Sequence, residues 1–204
     1  MKNIKKNIKK NIKKNIKLNI KSHIDIINNQ IDYIEKNIFI FADILIEKIN
    51  SGGKVLIIGN GGSAADAQHF ATELTVKMNR FRKALPVLAL TTDTSALTAI
   101  GNDYKFEDIF KRQIEALMTK KDILISISTS GNSKNIISAL KYSKKKKFNT
   151  LNILGNKGGE AKKYSKNNFI VDSSNPSRIQ EVHIIFYQNV CDLVENYYFA
   201  KSKS

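Results

Sequence analysis

Five short apolar runs, most of them leading through a turn into a helical pattern, constrain the fold of this chain more than any other feature. They are KVLIIG (54–59), PVLAL (86–90), DILISIS (122–128), TLNILG (150–155) and NFIVD (168–172). Near-continuous apolar runs, in place of an alternation of apolar and polar residues, mark strands covered on both faces. Helical patterns run over 63–79, 106–117, 133–146 and 177–199. Strands alternating with helices imply a parallel α/β sheet, with ligands at the carboxyl ends of its strands.

Two further segments precede this rhythm. Residues 23–50 form a long helical pattern with apolar positions on more than one face, stopped by Ser51-Gly52-Gly53. Such a helix is buried on two sides or packs against another subunit. Residues 1–22 repeat a KNIK unit carrying nine lysines and no acid. Of the net charge of +16, 16 − 9 = +7 remains for the other 182 residues. The tail is expected to be a low-complexity extension without a dedicated partner, ahead of one domain at 23–200. The alternative is a basic amphipathic helix for a membrane surface or nucleic acid. The remaining positive field suits a phosphorylated substrate as well as nucleic acid.

The one cysteine, Cys191, excludes an internal disulfide, and no Cys/His cluster marks a structural zinc site. No run of 18 apolar residues exists, and the basic N-terminus lacks the apolar core of a secretory signal. A cytoplasmic protein is expected.

Two loops carry chemistry. In GNGGSAAD (59–66), a strand runs into Gly59 and Ser63 stands where the next helix begins, positioned to cap it. The free amides of such a turn face an anion. In STSGNS (128–133), the hydroxyls of Ser128, Thr129, Ser130 and Ser133 converge at another strand-to-helix turn, which suits a phosphate monoester. A serine-rich cap accounts for Ser133 alone. The P-loop pattern and its lysine are absent, so a nucleoside triphosphate is not the first expectation. His69 and Glu73 lie four apart on one helical face, a spacing that serves a divalent metal or acid/base work, or occurs incidentally. In SRIQEVH (177–183), Gln180 and His183 share a face of the last helix, which also reads as a polar stripe.

The segments GNGGSAADAQHFATEL, LTTDTSALTAIGNDY, FEDIFKRQIEAL, ISTSGNS and RIQEVH, in this order and spacing, resemble the phosphoheptose isomerases of the sugar isomerase (SIS) domain superfamily. The resemblance covers roughly 24–199. It implies a five-stranded parallel sheet in a homotetramer with active sites between subunits. It also implies isomerisation of sedoheptulose 7-phosphate to D-glycero-D-manno-heptose 7-phosphate, the opening step of lipopolysaccharide heptose synthesis. Phosphate contacts then fall on Ser128, Thr129, Ser130 and Ser133, and sugar contacts on Asn60, Gly61, Gly62, Ser63, Asn102, Asp103 and Gln180. Glu73 matches the base, and His69, Glu73 and Gln180 match zinc ligands. The family's second histidine, an acid/base group and fourth zinc ligand, is replaced by Gln188, which cannot shuttle protons at neutral pH. His183 is the expected substitute, ahead of Asp103 or a metal-bound water. The rival is a non-catalytic relative that binds the bacterial replication initiator, which also lacks that histidine. A third reading is a sugar-phosphate-sensing regulator.

Overall fold

The apolar runs form strands, and those at 55–59 and 123–128 bury both of their faces. The computed structural model describes residues 2–203, with the side chains of 2–8 and 10 left aside. Strands β1 (Val55–Gly59), β2 (Val87–Ala89), β3 (Ile123–Ser128), β4 (Asn149–Gly155) and β5 (Asn167–Val171) make a sheet of order β2-β1-β3-β4-β5. Every pairing is parallel, with Ile58 opposite Ser126 and Ser126 opposite Asn152. The expected five-stranded parallel α/β architecture is therefore the observed one.

Six α-helices cover the sheet: α1 (Lys2–Asn50), α2 (Gly62–Thr75), α3 (Thr94–Asp103), α4 (Ile109–Leu117), α5 (Lys134–Lys145) and α6 (Pro176–Lys201). Successive strand residues point to opposite faces. Ile57, Ile125, Ile153 and Phe169 meet α1, α2 and α6, while Leu56, Ile58, Leu124 and Leu154 meet α4 and α5. Phe169 stacks on Phe186 with ring centroids 3.8 Å apart, and Phe41 meets Phe186 edge-on at 5.0 Å. Such ring pairs add about 1 kcal/mol each beyond the area they bury. One polar chain crosses this apolar sheet: Ser126 donates to Asn152 Oδ1 at 2.7 Å, and Asn152 donates to the Asn168 side-chain oxygen and the Ala161 carbonyl.

Three elements depart from the sequence reading. Helix α1 runs unbroken through the boundary expected at residue 22, there being no Gly or Pro before Gly52 to interrupt it. It is tied down from residue 19 on: Arg178 donates to the Asn19 carbonyl at 2.7 Å, and His23 meets Glu181 at 2.8 Å. Helix α2 stops at Thr75, four residues early, because the amides of Met78, Asn79 and Arg80 turn to the buried Glu195 carboxylate. Helix α3 was not anticipated in a segment of Thr, Ser and Gly with weak helix propensity; its start is fixed by Asp93, whose side chain accepts from the Ala96 amide. Among the described residues no helix is long and apolar enough to cross a membrane.

Beyond its core contacts, α1 leaves a second apolar face exposed. Ile31 is 55% and Phe39 50% accessible. With Ile27, Ile34, Ile38, Ile185 and Leu193 they border a groove of about 460 Å³ between α1 and α6.

Candidate active site

In this strand order the chain crosses from β1 to β2 on one side and then returns to β3 on the other, so the switch point lies between β1 and β3. Open parallel sheets bind ligands in the crevice beyond that point. The loops that open there are the two singled out from the sequence.

After β1, Gly61 takes φ +54°. Helix α2 begins at Gly62, so Gly61 occupies the cap position and Ser63 lies buried within the first turn. The expected capping role of Ser63 is thus corrected. Gln180 lies over Gly62: a Cβ there would stand 2.4 Å from Gln180 Nε2 and would push that amide aside. After β3, the Ser128 hydroxyl accepts from the Gly131 amide and the Ser130 hydroxyl from the Asn132 amide, each at 3.1 Å. Ser133 holds the cap position of α5, yet its hydroxyl makes no capping bond. Ser128 and Ser130 enter these bonds only as acceptors, so their O–H protons remain available. Gly131, at φ +64°, passes so close to the Gly158 carbonyl that a Cβ would sit 2.1 Å from it. The loops are fastened together by reciprocal side-chain bonds between Asn60 and Asn135, both 2.8 Å. Asn135 lay outside the sequence-based site, since nothing in its helix position announced this partner.

A second cluster forms lower on α2, against α6. His69 Nε2 lies 2.9 Å from Glu73 Oε1, Gln188 Nε2 is 3.1 Å from the same oxygen and 3.0 Å from His69 Nε2, and the Tyr187 hydroxyl is 3.0 Å from His69 Nδ1. His69 is half exposed and Glu73 17% accessible, so the carboxylate opens to the surface beside the imidazole. The Glu73 carbonyl accepts a 2.8 Å bond from Arg82, which fixes the backbone under it. Asp66, one turn before His69, was also missed. Burial pushes its carboxyl up to about 6, against the pull of His69 and the Tyr187 hydroxyl. Burial likewise raises the Tyr187 hydroxyl above its usual range.

Other expected residues form bonds to neither cluster. Asn102 and Asp103 end α3, both exposed and bonded to each other at 2.8 Å. His183, expected as the second acid/base group, is corrected: it is fully buried, with Nε2 3.0 Å from the Leu154 carbonyl, and joins neither cluster. Burial lowers its pKa to about 4 from an ordinary 6.5, so it stays neutral. The stability this provides is complete above pH 6.5 and is lost as pH falls toward 4, by about 3 kcal/mol. Asp66, with its raised pKa, has the opposite sign and loses stability as pH rises through 6. Urea unfolding should therefore show the gap between wild type and His183→Gln closing as pH drops from 6.5 to 4. A gap constant over that range would contradict a buried neutral imidazole.

A zinc site needs three or four donors converging on one point. Within one chain, Gln180 is eight residues from Gln188, about 12 Å along α6. That leaves one imidazole, one carboxylate and one neutral amide, short of the three strong ligands that hold catalytic zinc. Among the described residues no group of three or more His, Cys, Asp or Glu is placed to hold a metal. The set present in one chain does not fit a resident zinc ion.

The SIS domain family matches residues 19–155. The phosphoheptose isomerase of Aliarcobacter butzleri is 46% identical over 175 residues, covering 86% of this chain and 93% of that protein. This chain belongs to the phosphoheptose isomerase family. Phosphoheptose isomerase 1 of Campylobacter jejuni is 51% identical over 154 residues, 76% of this chain and 83% of its own length. Among solved structures, the phosphoheptose isomerase of Neisseria gonorrhoeae superposes with a TM-score of 0.84 at 36% identity, covering 91% of this chain and 99% of that one. The enzyme of Francisella tularensis gives 0.86 at 33%, covering 90% and 97%. These relatives favour the isomerase over the initiator-binding reading, which drew on the RIQE-type residues, the absent histidine and the closing CDLVENYYF.

Proposed function

We propose that this chain isomerises sedoheptulose 7-phosphate to D-glycero-D-manno-heptose 7-phosphate for lipopolysaccharide heptose synthesis, as a cytoplasmic homotetramer. The observation that carries the reading is the hydroxyl-lined turn at the switch point, with O–H donors left free for a phosphate monoester. Ser128, Thr129, Ser130 and Ser133 grip the phosphate, and the dipole of α5 adds partial positive charge. Asn60, Gly61, Gly62, Ser63 and Gln180 line the sugar, with Asn102 and Asp103 as further contacts. Glu73 takes the proton from C1 of the ketose and returns it to C2 through a cis-enediol. Meanwhile a proton passes from the C1 hydroxyl to the C2 oxygen, and His69 is the group beside Glu73 able to assist.

Glu73 lies eleven residues beyond Gly62, about 16 Å down α2 from the glycine turn. One chain therefore holds its base far from its own glycine turn, to which Asn60 and Asn135 fasten the phosphate loop. A site completed by a second subunit resolves this, and the apolar face of α1 offers the surface for that assembly. Incubating the purified protein with sedoheptulose 7-phosphate tests the proposal. Appearance of the aldose phosphate supports it; no turnover, with or without added zinc, overturns it.

A further inference from the structure

The positive charge outside the N-terminal tail is gathered in one stretch of chain, away from the loop read as the phosphate seat. Residues 141–166 carry nine lysines and one acid, Glu160. Their net charge of 9 − 1 = +8 exceeds the +7 left outside the tail, so the remaining residues sum to 7 − 8 = −1. Part of this stretch walls a cavity of about 590 Å³ bordered by Lys144, Lys147, Lys163 and Lys166, with no acidic residue in its lining. The first residues of β3, β4 and β5 line it too, so it opens at the amino ends of the strands. The hydroxyl-lined turn stands at the carboxyl ends. Six steps of β4, from Asn149 to Gly155, put about 20 Å between the two.

Glu160 is committed elsewhere: it pairs with Lys141 at 3.1 Å and accepts from the Tyr164 hydroxyl at 2.8 Å, although its field reaches Lys163. Among the described residues, none of the four cleft lysines has a carboxylate within ion-pair distance. The dipole of α5 accounts for Lys144 and Lys145 in its last turn. It does not account for Lys163 and Lys166, which arrive from another segment, tied to α5 by the bond from Lys144 to the Lys163 carbonyl. Nor does it account for Lys147, which takes φ +58° just past the helix, where glycine is the ordinary choice. A side chain is kept there against the backbone preference.

Like charges bordering one concavity repel, and a bound anion relieves them. The volume suits a small molecule, and the lining is apolar between the lysines, with Ile44 and Phe148 both half-buried. We propose that this cleft is a second ligand site, for a nucleotide bearing a terminal diphosphate. Linked phosphates meet lysines from both walls at once, while Ile44 and Phe148 receive the base. A nucleic acid needs an extended track of cations, whereas these border an indentation. The proposal is independent of the isomerase reading.

Calorimetry of the full chain with ADP, in about 150 mM salt to screen loose surface attraction, should show binding. Two charge-matched variants locate it. Replacing Lys144, Lys147 and Lys166 together by glutamine should weaken ADP binding at least about tenfold, the effect of one lost charge-assisted contact. Replacing Lys9, Lys13 and Lys14 by glutamine removes the same charge from the tail and should change it less than about threefold. All six residues are exposed, so both variants should fold. Hydrogen exchange with ADP should slow at 144–151 and 163–167 and stay unchanged at 128–133. Pyrophosphate should bind more weakly than ADP, because it leaves Ile44 and Phe148 uncovered. Absence of ADP binding overturns the proposal, as does equal loss in the two variants or protection at 128–133 instead. Pyrophosphate binding as tightly as ADP would overturn the nucleotide assignment. A short DNA duplex that binds more tightly than ADP, and only with the cleft lysines intact, would give the surface to nucleic acid and overturn it too.

Discussion

Replacing Glu73 by glutamine should lower kcat for sedoheptulose 7-phosphate by between about a hundredfold and ten-thousandfold, the range supplied by a positioned general base. The substitution preserves shape and leaves an oxygen to accept from His69 and Gln188, so the cluster should persist. It removes the capacity to hold a proton taken from carbon. The phosphate seat belongs to other residues, so KM should change far less than kcat. In D₂O, wild type should exchange the C1 hydrogen with solvent and the variant should not. A thousandfold loss corresponds to about 4 kcal/mol of transition-state stabilisation. Full turnover by Glu73→Gln would refute its role, and retained solvent exchange would place the base elsewhere.

The largest expected effect on stability comes from Glu195→Ala. The Glu195 carboxylate is buried and accepts from the amides of Met78, Asn79 and Arg80 at 2.8, 2.6 and 3.0 Å, with Arg82 Nε 3.5 Å away. Truncation would leave three amides unpaired and the buried Arg82 guanidinium without its counter-charge. Breaking one side of a buried pair costs about 3–5 kcal/mol, and urea unfolding should show a loss of that size. Burial alone would raise the Glu195 pKa, but the three amides and Arg82 outweigh it and hold the carboxyl below its usual range. Its stabilisation is thus present above the ordinary carboxylate range and is lost as pH falls below it. Because Arg82 also bonds the Glu73 carbonyl, Glu195→Ala should lower turnover as well. A stability change under 1 kcal/mol would show that water replaces the carboxylate without penalty.

What could be read from the sequence was governed by the range of the forces involved. The strands were legible because VLII, ILISI and LNIL are apolar on both faces, a local signature of a doubly covered sheet. The two loops were legible because glycine and serine at the ends of such strands restrict what the backbone can do there. Helix α2 was drawn four residues too long because its end is decided by Glu195, more than a hundred residues away. His183 is expected at the site only from its nearness to Gln180 on α6, yet the carbonyl of Leu154 and the core around it claim the imidazole. Asp66, Asn135 and Tyr187 were passed over for the same reason. Each is an ordinary residue on a helix until a partner from another element meets it.

The paired amides of Asn60 and Asn135 bear on how quickly a substrate is captured. They brace the rims of neighbouring turns in the free protein, so the anion enters a receptacle that is already shaped. Arrival should then be paced by diffusion and by the attraction of a cationic surface, with no loop waiting to fold around the guest.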